Sequence, residues 1–336
     1  MDTEIEEIVT LAHDNLLKLS NSNILFLGGS GFVGTWLLKT FLRANVKYKT
    51  NIHLTVLTRN QLEIRRKCTG SELENVRFLE QDIRHEFQGT LPIFSHVIFA
   101  ATPSNKRTGN SDKKLVFDST VEGVRNILTF LESQNEFPIF SHLSSGAVYG
   151  PAESHKGSIS EPDSSTENLV GHSSYSNAKI EAEKLVREAT LSGLVRGINP
   201  RLFAFAGPGI VLDEHFAIGN FLKDRLDETK IRITGNPETI RSYLHPVDMC
   251  NWLIASLTSS VTFPIHIGSS MPITMHELAE KITSITKGKG IEVVKNDLVR
   301  SIYYPETRKT ESRLLVEQSI DRDESIERWW RWIQEN

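Results

Sequence analysis

Cysteine is scarce: Cys68 and Cys250 are the only two in 336 residues, far apart and without the paired spacing of a metal site. They read as buried free thiols rather than a bridge, which predicts a cytoplasmic setting. The histidines and carboxylates show no spacing such as H-x-x-x-H, so no metal is expected. Long apolar runs are missing too. No stretch of about 18 apolar residues exists to span a bilayer, and the acidic start MDTEIEEIVTLAHDNL lacks the basic-then-apolar pattern of a signal peptide. No membrane association is expected. Nor is there an excess of positive charge: the net charge of -4 leaves no electrostatic footprint for nucleic acid. With 39% hydrophobic and 24% charged residues, the composition is that of a soluble globular chain, long enough for one large or two intimately joined domains.

What is present begins at residue 24. Ile24-Leu25-Phe26-Leu27 is a short apolar run bounded by glycine, the mark of a buried strand. Phe32, Val33, Trp36, Leu37, Leu38, Phe41 and Leu42 then recur at helical spacing. Between them stand Gly28, Gly31 and Gly34, spaced G-x-x-G-x-x-G. Gly28 supplies turn angles that a side chain would forbid, Gly31 a close approach to phosphate, and Gly34 tight packing of helix on strand. The helix start offers free N–H groups to a pyrophosphate. A strand before the loop and an amphipathic helix after it raise this pattern above an ordinary turn. Gly28, Ser30, Gly31, Phe32, Val33 and Gly34 are therefore the candidate cofactor contacts.

Ahead of this unit, residues 3–19 place Ile5, Ile8, Val9, Ala12, Leu16 and Leu17 on one face of a helix, expected to pack on the cofactor domain. After it, residues 52–57 form a second strand ending at Thr58-Arg59-Asn60. An acid near this point holds ribose hydroxyls, and a base accommodates a 2′-phosphate. Arg59 stands here without an acid, which favours NADP(H), with NAD(H) the alternative. Residues 76–79 lead to Gln81-Asp82-Ile83, a third strand with an acid at its carboxyl end. Asp82 can accept from the adenine amino group or cap the following turn. A fourth strand, 96–101, closes on Ala100 and Ala101, small enough to let a cofactor pass. The polar stretch 104–114 is expected to be a loop over the site, followed by a helix at 115–131 and a fifth strand at 138–143. Strands and helices alternating at this interval predict an α/β fold, a Rossmann-type doubly wound parallel sheet.

The fifth strand runs into Ser144-Ser145-Gly146-Ala147-Val148-Tyr149-Gly150, and Tyr175 and Lys179 follow four apart on a helix. That spacing puts them on one face. A phenol titrates near 10, and an ammonium held close favours the phenolate. With a serine hydroxyl, the pair can move a proton at a carbinol oxygen while hydride moves at its carbon.

The chain at this point resembles the extended short-chain dehydrogenase/reductase superfamily, in its nucleotide-sugar epimerase, dehydratase and reductase branch. The matching pieces are GGSGFVG at 28–34, SSGAVYG at 144–150, YSNAK at 175–179, RLFAFAGPG at 201–209, RSYLHPVD at 241–248 and HIGSS at 266–270. The resemblance implies Tyr175 as the proton donor or acceptor, Lys179 as a second contact to the nicotinamide ribose, and Ser145 as the catalytic serine. Family dehydratases carry Asp-Glu directly after the catalytic threonine, and family decarboxylases a Glu at the second of those positions. Gly146-Ala147 supplies neither, so both activities are unexpected here. Thr120 and Ala204 stand where the family has asparagines. The first departure touches the usual water relay near Lys179, the second a common substrate contact.

From Asn199 onward, proline and glycine cluster and the spacing loosens, as suits loops that build a substrate pocket. The expected division is an N-terminal helix plus dinucleotide-binding domain at 1–198, with a returning segment at about 240–268, and a smaller mixed substrate domain over 199–336. By resemblance the segment with His215 and Asn220 meets the nucleotide, and Arg241 clamps the substrate pyrophosphate, a job for paired guanidinium donors. Arg308 is a second candidate. The aromatic stretch 326–333 is expected to cap the smaller domain's core. The resemblance also implies a homodimer formed by the helices at 115–131 and 175–190. Together these expectations describe NADP(H)-dependent reduction of a nucleotide-diphosphate keto-sugar, an NDP-4-keto-6-deoxyhexose above all. The alternatives are an NAD-dependent 4-epimerase, a reductase of small carbonyl compounds and a non-catalytic NAD(P)-binding scaffold.

Overall fold

The computed structural model describes residues 1–336 apart from 69–72, 74–75, 88–89, 103–112, 135, 163–168, 213–215 and 295–298. Two helices, α1 (Asp2–Leu11) and α2 (His13–Lys18), precede β1 (Asn23–Leu27), α3 (Phe32–Tyr48), β2 (His53–Thr58), α4 (Gln61–Lys67) and β3 (Val76–Glu80). Then come β4 (His96–Phe99), α5 (Lys113–Glu132), β5 (Ile139–His142), β6 (Ser144–Ser145), α6 (Ser174–Leu191), β7 (Arg196–Ile198) and β8 (Pro200–Leu202). The remainder comprises α7 (Ala217–Leu226), β9 (Ile231–Ile233), β10 (Ile240–Arg241), α8 (Pro246–Thr258), β11 (Ile265–Ile267) and β12 (Ile273–Thr274). It closes with α9 (Met275–Ile285), β13 (Ile291–Val293), β14 (Ile302–Tyr303), α10 (Arg308–Leu314) and α11 (Arg322–Glu335).

The main sheet has the order β3-β2-β1-β4-β5-β7, with every pairing parallel. Alternation along β1 shows how both faces are covered, since successive side chains point to opposite sides. Ile24 and Phe26 join one core with Trp36, Phe41 and Trp252, while Leu25 and Leu27 join another with Val124, Ile127 and Val186. Thus α3 and α8 cover one face, and α5 and α6 the other. Between β1 and β4 the strand order reverses, which opens a crevice at the carboxyl ends of these two strands.

The N-terminal segment differs from the single helix expected over 3–19. It bends at Ala12, which has left helical angles (φ −88°, ψ 12°), so that Leu16 and Leu19 stay in the same core as Ile5, Ile8 and Val9. The inward place goes to Leu16, and Leu17 is 42% exposed. The third strand stops at Glu80, leaving residues 81–83 to a turn.

A second parallel sheet, β11-β8-β6, carries the serine pair, with Ser144 opposite Arg201 and Ser145 opposite Leu202. The mixed sheet β12-β10-β14 and the pair β13-β9 lie in the C-terminal part, where a third core gathers Ile218, Phe221, Leu278 and Ile282. Ile326 and Trp329 of α11 are fully buried in it, so the aromatic helix caps that core. Among the described residues no helix is long and apolar enough to cross a membrane.

Candidate active site

The crevice is floored by the glycine loop. Gly28 has φ +86°, and a Cβ there would lie 2.6 Å from the carbonyl carbon and oxygen of Ala100. A Cβ on Gly34 would lie 2.0 Å from the Gly28 oxygen. Both positions demand glycine for the fold itself. Gly31 does not: its φ is −71°, and its nearest contact would be an ordinary 3.4 Å. Whatever requires glycine at 31 comes from the ligand side. Gly31 is the N-cap of α3 and offers no side chain as a cap, so the first turn, with Phe32 and Val33, leaves N–H groups for an anion. These features fit a dinucleotide, whose pyrophosphate the loop would hold.

Around the loop stand the residues that would meet the adenosine end. Thr58 and Asn60 fix the turn after β2, with the Asn60 amide 3.2 Å from the Thr58 hydroxyl and the Asn60 side chain capping α4 at Leu62 (2.9 Å). Arg59 projects from that turn, exposed and without a hydrogen bond or ion pair to any described residue. Lys67, which the sequence did not single out, donates to the Ser30 carbonyl on the loop. Asp82 accepts from the Arg84 guanidinium through both oxygens (2.9 and 2.7 Å) and from the Arg84 backbone N–H (3.0 Å). The turn-capping role is thus the one its geometry displays, and the Arg84 guanidinium holds its carboxyl well below the usual range despite partial burial. Ile83 is buried against α5, where a Cβ on Gly123 would come within 2.9 Å of it. Ala100 and Ala101 are half-buried at the end of β4.

The reacting groups converge from β6 and α6. Ser145 caps the tight turn over 146–149, accepting from the Ala147 N–H at 3.2 Å. A capping box between Ser173 and Ser176 starts α6 one residue before Tyr175. Lys179 is buried one turn on. Its Nζ donates to the Leu143 carbonyl (2.5 Å) and to the Thr102 hydroxyl (2.9 Å), and lies 5.8 Å from the Tyr175 ring centroid. Thr120 stands 3.2 Å from Thr102 and 2.8 Å from the Val116 carbonyl. A threonine pair therefore anchors Lys179 where the family pattern has asparagine.

Burial pulls Lys179 down to about 7, with the Glu183 charge opposing it. Tyr175 is pushed up by burial, against which the Ser145 hydroxyl pulls down. The chain alone thus corrects the expectation that Lys179 lowers the tyrosine. The ammonium is aimed at Leu143 and Thr102, and desolvation of the phenol outweighs the pull of the Ser145 hydroxyl.

Tyr303 belongs to this site and was not anticipated. It faces Tyr175 and Ser145, and burial raises its phenol strongly. A Cβ on Gly146 would fall 2.6 Å from the Tyr303 hydroxyl and 2.6 Å from the Phe203 ring. The two rings lie 5.0 Å apart. Arg241 pairs opposite Tyr303 in the β10–β14 register, its guanidinium 6.0 Å from that ring. It donates to Ser301 through Nη2 (2.9 Å to Oγ), and burial lowers its pKa. Asn220 lies on α7 with its side-chain oxygen buried and accepting from no described residue. His215 lies outside the described residues. Arg308 is exposed at the start of α10, in a surface depression with Glu311, Leu315 and Glu317. No cluster of three or more metal-ligating side chains occurs among the described residues.

Comparison with known proteins agrees with this fold. The model of the NAD dependent epimerase/dehydratase family matches residues 24–267. UDP-glucuronic acid decarboxylase 1 of Xenopus tropicalis is 22% identical over 313 residues, 87% of this chain and 71% of the relative. Among solved structures, the epimerase Mth375 of Methanothermobacter thermautotrophicus superposes with a TM-score of 0.78 at 19% identity, covering 98% of this chain and 96% of the other. UDP-glucuronic acid 4-epimerase of Bacillus cereus, solved with UDP-glucuronic acid and NAD, gives 0.75 at 17% identity, covering 93% and 99%. The chain belongs to the NAD dependent epimerase/dehydratase family.

Proposed function

We propose that this family member is an NADP(H)-dependent reductase of a nucleotide-linked keto-sugar, an NDP-4-keto-6-deoxyhexose. The observation that carries the reading is the pairing of an intact Ser145, Tyr175 and Lys179 with a position 146 that has no room for an acid. Tyr303 and Phe203 fill the space an acidic side chain would take, and Ala147 has no titratable group. The relatives named as UDP-glucuronic acid decarboxylases match most of this chain at 21–25% identity. By the resemblance, they need a glutamate at the place of Ala147.

A bound nicotinamide supplies the hydride. Tyr175 gives its phenol proton to the carbonyl oxygen, and the Ser145 hydroxyl donates to the same oxygen, so the carbonyl becomes an alcohol and the phenolate is reprotonated from solvent. Lys179 holds the cofactor ribose, and the Ser145 hydroxyl favours the phenolate. Gly28, Ser30, Gly31, Phe32, Val33 and Gly34 cradle the pyrophosphate, and Ala100 and Ala101 let the cofactor pass. Arg59 takes the 2′-phosphate. Arg241 faces the substrate diphosphate, and the unpartnered Asn220 oxygen accepts from an N–H or hydroxyl of the nucleotide. In a homodimer, α5 and α6, which pack on each other, would meet their twofold mates.

The second reading is an NAD-dependent nucleotide-sugar 4-epimerase. It draws support from the Bacillus cereus epimerase solved with NAD, since removal and return of hydride at one carbon uses the same three residues. Identifying the nucleotide released from the purified protein separates the two. NADP, with NADPH consumed on addition of a dTDP-4-keto-6-deoxyhexose, supports the reductase. Tightly held NAD without NADPH consumption sinks it.

A further inference from the structure

We propose that Glu183 is a positioning residue of the active site, one buried carboxylate that both fixes the strand bearing Ser145 and sustains the positive charge of Lys179. Glu183 stands on α6 one turn beyond Lys179, on the same face. Its Oε1 accepts from the Ser144 hydroxyl and from Arg201 Nε (3.0 Å), and its Oε2 accepts from Arg201 Nη2 (2.7 Å). Ser144, Glu183 and Arg201 are all buried.

The chain of contacts continues. Arg201 Nη1 donates to the Tyr149 hydroxyl (2.5 Å), which lies 2.7 Å from His266 Nε2, and His266 Nδ1 lies 2.8 Å from the Glu306 carbonyl. A carbonyl only accepts, so Nδ1 carries the proton, Nε2 accepts from Tyr149, and the imidazole is neutral. Burial lowers it to about 3, consistent with that state. The network therefore carries one negative and one positive charge, with donors running from Arg201 both ways, to Glu183 on one side and through Tyr149 and His266 to the Glu306 carbonyl on the other.

Stability alone is a poor account of such a pair, because well-packed apolar residues serve a core as well or better. Its members instead adjoin the site. Ser144 precedes Ser145, Tyr149 ends the turn that Ser145 caps, and Glu183 underlies Lys179. The groups facing Lys179 are Tyr175 and Glu183 of α6, His142 of β5, the Leu143 carbonyl and the Thr102 hydroxyl, which Thr120 contacts in turn. His142 is buried and held neutral. Glu183 is the one carboxylate in that group, and Arg201 divides its charge with Lys179.

The inference rests on the proposed contact of Lys179 with the cofactor, and the test separates the two. NADPH binding to the whole protein is titrated from mildly acidic to alkaline pH for the wild type, Glu183→Gln and Arg201→Gln, alongside the pH dependence of unfolding without cofactor. Binding weakens as Lys179 loses its proton. Glu183→Gln moves that loss to lower pH by about one unit, about tenfold in affinity at a fixed pH above it. Arg201→Gln leaves the carboxylate to Lys179 and moves the loss to higher pH. The double variant, which restores charge balance to the core, behaves as Glu183→Gln. A purely structural role would lower affinity evenly with pH, or shift both single variants the same way, and either result overturns the proposal. If the opposite shifts appear in unfolding but not in NADPH binding, Glu183 keeps its role and the cofactor contact of Lys179 fails.

Discussion

The Tyr303 hydroxyl stands where a side chain at Gly146 would begin, 2.6 Å from the Cβ that any other residue would place there. The missing acid at 146 is thus a packing consequence as well as a chemical one. Installing it, as Gly146→Asp, forces the Tyr303 and Phe203 rings aside. Overpacking of this kind costs about 1–3 kcal/mol, and the carboxylate adds a desolvation cost. The expected result is a lower melting temperature with no dehydration of a dTDP-hexose, read by thermal unfolding and product analysis.

Arg59 is exposed and uncommitted at the end of β2, so its removal should change cofactor choice and little else. Hydrogen bonds to charged groups contribute about 1.5–3 kcal/mol, which corresponds to a loss of roughly ten- to a hundredfold. Arg59→Ala is expected to weaken NADPH by that factor and leave NADH within about twofold, on the same energetic scale. Parallel loss of both cofactors would assign Arg59 to the loop's structure instead.

Lys179 gives a pH signature with a fixed sign. Burial holds it at about 7 in the folded protein, against 10.5 for the free side chain. Between those values the unfolded chain binds the extra proton, so rising pH favours the folded state. Below about 7 both states are protonated and the contribution is constant. Wild type should gain on Lys179→Met by up to about 1.4 kcal/mol per pH unit across that window. Denaturant unfolding at several pH values checks it, and a difference independent of pH would contradict the burial argument.

Local patterns were readable from the sequence, and long-range partners were not. The strand, glycine loop and helix over 23–48 declare themselves because their spacing is local, as does the Tyr175–Lys179 pair on one helix face. Asp82 carries a local signal of its turn role: an arginine two residues on is within easy reach of a turn carboxylate. Thr102 and Tyr303 reach the site from distant segments, and nothing near them in sequence marks their destination. Arg201 and Glu183 offered one clue, each a charge set among residues that otherwise read as buried. The bend at Ala12 left no mark, because both halves of the segment keep an apolar face.

The central claim is that Tyr175 delivers a proton while NADPH reduces a nucleotide-linked ketone, and Tyr175→Phe tests it most directly. The variant removes one oxygen and keeps the ring. Loss of a general acid lowers turnover by about 10²–10⁴. The decisive measurement is NADPH consumption with a dTDP-4-keto-6-deoxyhexose, by wild type and Tyr175→Phe at equal cofactor occupancy. Consumption by the wild type, reduced by that factor in the variant with NADPH still bound, is the predicted result. Equal turnover by the two proteins, or none by the wild type while it retains NAD, would contradict it.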